Sequence, residues 1–193
     1  YERTSDYFKE GTRTAAHWWL LPLALFTGAR SAELVQLRID DVSVTNGILT
    51  ANIVEDKATG QRVKTASSLR SIPIHPRLIE LGFNEYLDNL RDAGADRVLE
   101  GIGVGVQKPG HKAGYWFDSY RQTYLPNFKA EKKTLHFTRG TFYSAAYNDA
   151  EMETRYLKQL IGHSEEEELG AGIHYNSGAS MPKLFSEIGK VRY

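Results

Sequence analysis

Apolar residues recur at helical spacing over most of the chain and follow a strand-like pattern in one short region. The densest run, through Trp18, Trp19, Leu20, Leu23, Leu25 and Phe26, predicts a largely buried first helix, with Ser5 or Thr12 as cap and Pro22 as a kink. Gly28 ends it, and Ser31 with Glu33 close behind opens a short second helix ending near Leu37. Asp41 to Thr45 and Ile48 to Val54 flank Asn46-Gly47, a turn dipeptide that specifies a hairpin. After a polar stretch with Lys57, Arg62 and Lys64, a third strand is expected at Ser71 to Ile74. Pro76 then opens a helix with an apolar face of Leu78, Ile79, Leu81, Phe83, Tyr86, Leu87 and Leu90, interrupted by Gly82. Gly101 to Gly114 reads as a flexible loop, and Tyr115 to Leu125 as a helix with Trp116, Phe117, Tyr120 and Tyr124 on one side. Helices follow at about Arg139 to Asp149, Glu153 to Ile161 (stopped by Gly162) and Met181 to Val191. The predicted class is α+β, mainly α-helical with a small three-stranded antiparallel sheet.

Composition narrows this picture only in part. The 193 residues suffice for one well-buried domain, and 41% hydrophobic with 25% charged residues is ordinary for a globular chain. No apolar run approaches the roughly twenty residues a membrane span needs, so no membrane partner is expected. Cysteine is absent, which removes disulfide and thiolate–zinc frameworks and fits a cytoplasmic location. The net charge is zero, against the basic excess usual in nucleic-acid binders. The charges are nevertheless segregated: acids gather at Glu165 to Glu168 and Glu151 to Glu153, bases at Lys57 to Arg77 and Lys129 to Arg139. A positive face on a neutral protein is therefore permitted.

The candidate chemistry lies in three late stretches, His136-Phe137-Thr138-Arg139, Ile161-Gly162-His163 and His174-Tyr175, and one early stretch around Arg30. Each residue has an ordinary reading: Arg30 capping a helix end, His136 a helix cap, His163 a packed core histidine, and the basic stretch before the third strand a solvated loop. Lys108, His111 and Lys112 in the glycine-rich loop match neither a dinucleotide fingerprint nor a Walker loop, which leaves a loop that either touches a phosphate or does not. Together, two arginines, a lysine, two histidines and a tyrosine suit attack on a phosphodiester without a metal. Arginine forks bind the non-bridging oxygens as charge builds on them. A tyrosine with pKa about 10 costs roughly 4 kcal/mol to ionise at pH 7, a cost that nearby cations and a proton-accepting histidine lower. There is no His-Glu-x-x-His or paired-cysteine pattern for a metal-dependent phosphohydrolase, the alternative enzyme class.

Thr27-Gly28-Ala29-Arg30-Ser31-Ala32-Glu33-Leu34 resembles the first box of the tyrosine recombinases, or phage-type integrases, which reads Thr-Gly-x-Arg-x-x-Glu. His136-Phe137-Thr138-Arg139 resembles their His-x-x-Arg, and Leu160-Ile161-Gly162-His163 their Leu-Gly-His. Tyr175 then falls where the nucleophile stands, and Val63-Lys64-Thr65 before Ser71-Ile72-Pro73-Ile74 is similar to their hairpin lysine segment. The resemblance covers essentially residues 1–193 as a catalytic domain, without the amino-terminal core-binding domain. It implies a site-specific DNA recombinase of phages and mobile elements that cleaves and rejoins double-stranded DNA through a 3′-phosphotyrosyl intermediate. Arg30 and Arg139 would clamp the scissile phosphate, and Lys64 would be the general acid, with Lys57 as substitute. His136 would take the tyrosine proton, His163 would hydrogen-bond the phosphate, Tyr175 would attack, and Glu33 would orient the pocket. No cofactor or metal is implied; tetrameric self-assembly on DNA, DNA-bending accessory proteins and a nucleoid-associated location are. Type IB topoisomerase-like relaxation is the near alternative, using nearly the same residues. Two departures are Gly140 after Arg139, where many members have His, and the longer His163 to Tyr175 spacing filled by Glu165 to Glu168.

Overall fold

The structure is a computed structural model that describes residues 15–102, 108–125, 127, 131, 133–163 and 178–193. Helix α1 spans Ala15–Thr27 and α2 spans Ser31–Gln36. A 3₁₀ turn, Ile39–Asp41, leads into strands β1 (Val42–Thr45), β2 (Ile48–Ile53) and β3 (Arg70–Pro73), which form an antiparallel sheet in the order β1-β2-β3, with a second 3₁₀ turn, Ala66–Ser68, before β3. Helices α3 (Pro76–Glu80), α4 (Phe83–Asp92), α5 (His111–Tyr124), α6 (Phe137–Ser144), α7 (Thr154–Ile161) and α8 (Met181–Ile188) follow. The protein is thus mainly helical with a small three-stranded antiparallel sheet, as the hydrophobic pattern predicts.

The hairpin forms where Asn46-Gly47 specifies it, because both residues take positive φ (52° and 77°) as a tight turn of this hand requires. Thr45 pairs with Ile48 across it, and Val42 with Ala51. β3 begins one residue earlier than expected, with Arg70 opposite Ile53 and Ile72 opposite Ala51. The helix expected from Pro76 to Leu90 is two helices. Gly82 adopts φ 91°, outside the helical region, and becomes the N-cap of α4. The expected loop Gly101 to Gly114 ends early as well: Gly110 (φ 87°) is the N-cap of α5, so His111, Lys112 and Gly114 are helical.

α1 packs against α6, and β3 against α7 and α8. Leu20, Leu23, Ile72, Phe142, Leu157, Leu160 and Leu184 are essentially fully buried in one core. Each such large side chain contributes about 1.5–3 kcal/mol by leaving water. After α6 the backbone widens into a π-helical turn, Ala145–Asp149, before α7. Pro22 sits inside α1 as expected. The expected caps Ser5 and Thr12 lie outside the described residues.

Candidate active site

The turn between α1 and α2 is built to approach α6. Gly28 has φ 64°, and a Cβ there would stand 2.4 Å from the Phe142 ring, so no larger residue fits against α6. That close approach brings the Gly28 carbonyl to Arg139, on the first turn of α6, whose Nη1 donates to it at 2.7 Å. Arg139 Nη2 donates to the Ile161 carbonyl at the end of α7, at 2.5 Å. One guanidinium therefore joins α1, α6 and α7, and it is buried, at 7% exposure.

Arg30 is the N-cap of α2, where Glu33 reaches back to it. The Glu33 carboxylate accepts from the Arg30 main-chain N–H (2.8 Å) and from Arg30 Nη1 (2.7 Å). Arg30 Nη1 also donates to Ser68 Oγ at 3.2 Å. The other partner of Glu33 is Arg70, whose Nη2 and Nη1 donate to the two carboxylate oxygens at 2.8 and 3.3 Å. Arg70 and Glu33 side chains are each only 4% exposed. Burial alone pushes the Glu33 carboxyl up, yet the hydrogen bonds and charge of Arg70, together with Arg30, hold it below the usual carboxylate range.

Arg139 responds to the same neighbours in the opposite sense. Burial, then the charges of Arg30 and Arg70, push its pKa down to about 10, with Glu33 opposing. It remains charged at neutral pH. Three guanidiniums thus lie within Coulombic reach of one another with one carboxylate among them, a surplus of two positive charges. Such a partly exposed surplus, reached through Arg30, suits a bound oxyanion.

The remaining candidates surround this group. His136 is the N-cap residue of α6, one turn before Arg139; its side chain makes no capping hydrogen bond and is exposed, which removes the capping explanation. His163 follows Gly162, the left-handed C-cap of α7, and is also exposed, so it is not a packed core histidine. It lies on the rim of a groove of about 720 Å³, also lined by Arg70, Arg155, Lys158, Gln159 and Lys183. Lys64 is exposed in the connection between β2 and β3. Its neighbour Thr65 places a hydroxyl 3.1 Å from Ser68 Oγ, so this loop returns directly onto Arg30.

That connection is not simply a solvated loop. Arg62 N–H donates to Gln36 Oε1 at 2.9 Å, and Gln61 Nε2 donates to the Gln36 carbonyl at 3.2 Å, tying it to the end of α2. Lys57 sits instead at the outer turn closed by the Asp56–Gln61 bridge. Of the two lysines, only Lys64 belongs to the part of the loop that meets the arginines. Tyr175, His174 and Glu165 to Glu168 lie outside the described residues. Among the described residues, no three His, Cys, Asp or Glu side chains gather as a metal ion would require.

Arg70 is the residue that the motifs do not reveal. The strand pattern nevertheless holds a signal for it. Arg70 and Ile72 share one face of β3, and Ile72 is buried at 1% exposure. A charge on the core-facing side of a strand needs a buried counter-ion, and Glu33 supplies it. No family model, curated protein or solved structure matches the chain.

Proposed function

We propose that the chain is the catalytic domain of a DNA strand transferase of the tyrosine recombinase type, acting on double-stranded DNA and assembling on it as a tetramer. The observation that carries this reading is the group of Arg30, Arg139 and Arg70 around Glu33. The first two belong to sequence boxes far apart in the chain, yet both bear on one small region with excess positive charge. A diffusely basic surface would bind nucleic acid without needing such a focus. A focus of fixed, forked cations fits a single phosphodiester whose charge grows during reaction.

In this reading the phenol oxygen of Tyr175 attacks the scissile phosphorus as His136 accepts its proton. Arg30 and Arg139 neutralise the non-bridging oxygens, and His163 adds a hydrogen bond. The bond from phosphorus to the 5′-oxygen breaks, and Lys64 gives that oxygen a proton. The phosphotyrosyl bond keeps the phosphodiester energy, so a second 5′-hydroxyl reverses the step without a nucleotide cofactor. Relaxation of supercoiled DNA needs the same cleavage and rejoining, and differs only in returning to the original strand.

A nicked suicide substrate, which lets the 5′ fragment escape, tests the reading. The chain is expected to form a covalent adduct that peptide mapping assigns to Tyr175. Tyr175→Phe is expected to abolish the adduct while DNA affinity stays within about threefold, since a lost hydroxyl removes little phosphate contact. Adduct formed undiminished by Tyr175→Phe would overturn the assignment of the nucleophile.

A further inference from the structure

Arg70 makes contacts with three of the stretches that the motifs supply separately: the Arg30–Glu33 turn, the loop that carries Lys64 and the end of α7. Its Nη2 and Nη1 grip both oxygens of Glu33, which in turn holds Arg30 by the main chain and by Nη1. Its Nη1 also donates to the Ser68 carbonyl at 2.7 Å, at the end of the loop that carries Lys64. Its Nε donates to the Leu160 carbonyl at 2.7 Å, two residues before the Gly162-His163 pair. Gly162 is shaped around it: a Cβ there would lie 2.9 Å from Arg70 Nη1 and 2.9 Å from the Ser67 carbonyl. Arg70 is 4% exposed, whereas Arg30 keeps 20% of its side chain open. The first is therefore hidden from an incoming phosphate and the second is not.

We propose that Arg70 is a positioning residue, which fixes Glu33 and through it aims Arg30 at the scissile phosphate while holding the Lys64 loop and the His163 turn in register. The proposal rests on the strand-transfer reading for its substrate, but the aim of Arg30 toward an oxyanion can be measured separately. A neutral or shorter side chain at position 70 leaves the Glu33 carboxylate buried without its main partner. Glu33 then takes a proton or turns toward Arg30, and either change swings the exposed guanidinium away from its working direction. A fork that bridges two oxygens and two carbonyls cannot be copied by the point charge of lysine.

The test compares Arg70→Met and Arg70→Lys with the unmodified chain in single-turnover adduct formation at saturating DNA. Two suicide substrates are used, one with the natural scissile phosphodiester and one with a methylphosphonate at that position. On the phosphodiester, Arg70→Met is expected to slow cleavage by about 10–100-fold, because the clamp no longer meets the developing charge. On the methylphosphonate, which lacks the anionic oxygen, the loss should shrink to within about threefold. Arg70→Lys should show the same contrast at roughly one third of the loss, measured on a fold verified by its melting profile. Equal slowing on both substrates would make the role merely structural and overturn the proposal, as would near-normal cleavage of the phosphodiester by Arg70→Met.

Sulfate affinity by calorimetry keeps the two readings apart. If the unmodified chain forms no adduct on DNA, the strand-transfer reading fails, and Arg70 stands or falls on the anion alone. Sulfate bound about tenfold more weakly by folded Arg70→Met supports the positioning role, and unchanged affinity in that variant overturns it.

Discussion

Two glutamates in this protein are equally hidden, each with about 4% of its side chain exposed, and each is held by two cations. Around Glu187 on α8 the cations are Lys183 and Lys190, at 2.6 and 2.8 Å, with 44% and 49% of their own side chains in solvent. Around Glu33 they are Arg30 and Arg70, at 20% and 4%. The first pairing is local, within four residues along the chain, and the lysine stems reach out so that their ammonium groups stay wet. The second spans β3 and α2, and Arg139 adds a further positive charge to it. Equal burial of the acid therefore says little by itself. What differs is where the cations end up: Glu187 ties down a helix, whereas Glu33 organises positive charge that the fold leaves unbalanced.

On the proposed strand-transfer reading, the largest contrast is expected in catalysis. Arg139→Ala removes a guanidinium from the unbalanced group and, with it, the tie between the Gly28 and Ile161 carbonyls. Single-turnover cleavage should fall by about 10²–10³ or more, with Arg30→Ala in the same range. Glu187→Gln, equally buried, should change the rate by no more than about twofold, since Glu187 pairs with Lys183 and Lys190 and with none of the three arginines. A comparable loss from Glu187→Gln would mean that global stability, not local charge, limits the reaction. A near-normal rate in Arg139→Ala would remove that residue from the clamp.

Stability should separate the two glutamates next. Glu33→Gln leaves two guanidiniums, one of them only 4% exposed, facing a neutral amide that can satisfy only part of their donors. Equilibrium urea unfolding is expected to show a loss of about 2–3 kcal/mol. Glu187→Gln should cost less than about 1 kcal/mol, because Lys183 and Lys190 can turn to water. Raising the salt concentration to about 0.5 M should erase most of the Glu187 difference and little of the Glu33 difference. Equal losses, or equal salt sensitivity, would dissolve the distinction between tether and organised site.

The half of this comparison that matters for chemistry was only partly legible in the sequence. Arg30, Glu33, His136, Arg139 and His163 announce themselves because each stands in a short motif whose neighbours are turn and cap residues. Gly28 and Gly162 could be read as helix breakers, but not as the close contacts with Phe142 and Arg70 that make them irreplaceable. Arg70 was missed because its partner lies 37 positions away and because strand ends shift by a residue when only β propensity places them. Starting β3 at Ser71 moved Arg70 into a basic loop, where an arginine needs no explanation. The division of the Pro76 to Leu90 pattern followed from the same limit. Apolar spacing continued across Gly82, while the backbone there took a conformation open chiefly to glycine. The tail helix, by contrast, was legible from its amphipathic pattern at Met181 to Val191, although it ends at Ile188, because its spacing needs no distant partner.

His75 gives the smallest predicted effect and the sharpest complement to the glutamates, because it is buried and pairs with no carboxylate, Glu80 acting on it only through its charge. It caps α3 with Nδ1 accepting from the Arg77 N–H at 2.9 Å, which leaves the proton on Nε2 to donate to the Val191 carbonyl at 3.1 Å. Burial lowers its pKa first; the bond to Val191 opposes this, Arg192 lowers it further and Glu80 raises it, with a net shift downward. The folded protein therefore binds this proton less readily than the unfolded chain does. Stability from His75 is fully present above the unfolded value near 6.5 and is lost as pH falls through the lower folded value. Glu33, also depressed, follows the same sign but in a more acid window, below about 4.3. Unfolding free energy measured against pH should thus fall in two separated steps. The His75 contribution should amount to less than about 1 kcal/mol by pH 6 and disappear in His75→Ala. The acid step should persist in that variant and shrink in Glu33→Gln, with Glu187 and Asp56, whose carboxyls are likewise held below their ordinary range, supplying the remainder. A His75→Ala protein with an unchanged profile between pH 7 and 5 would show that its ring is protonated as readily in the fold as outside it, and the join between α3 and the Val191 carbonyl would then need another source of strength.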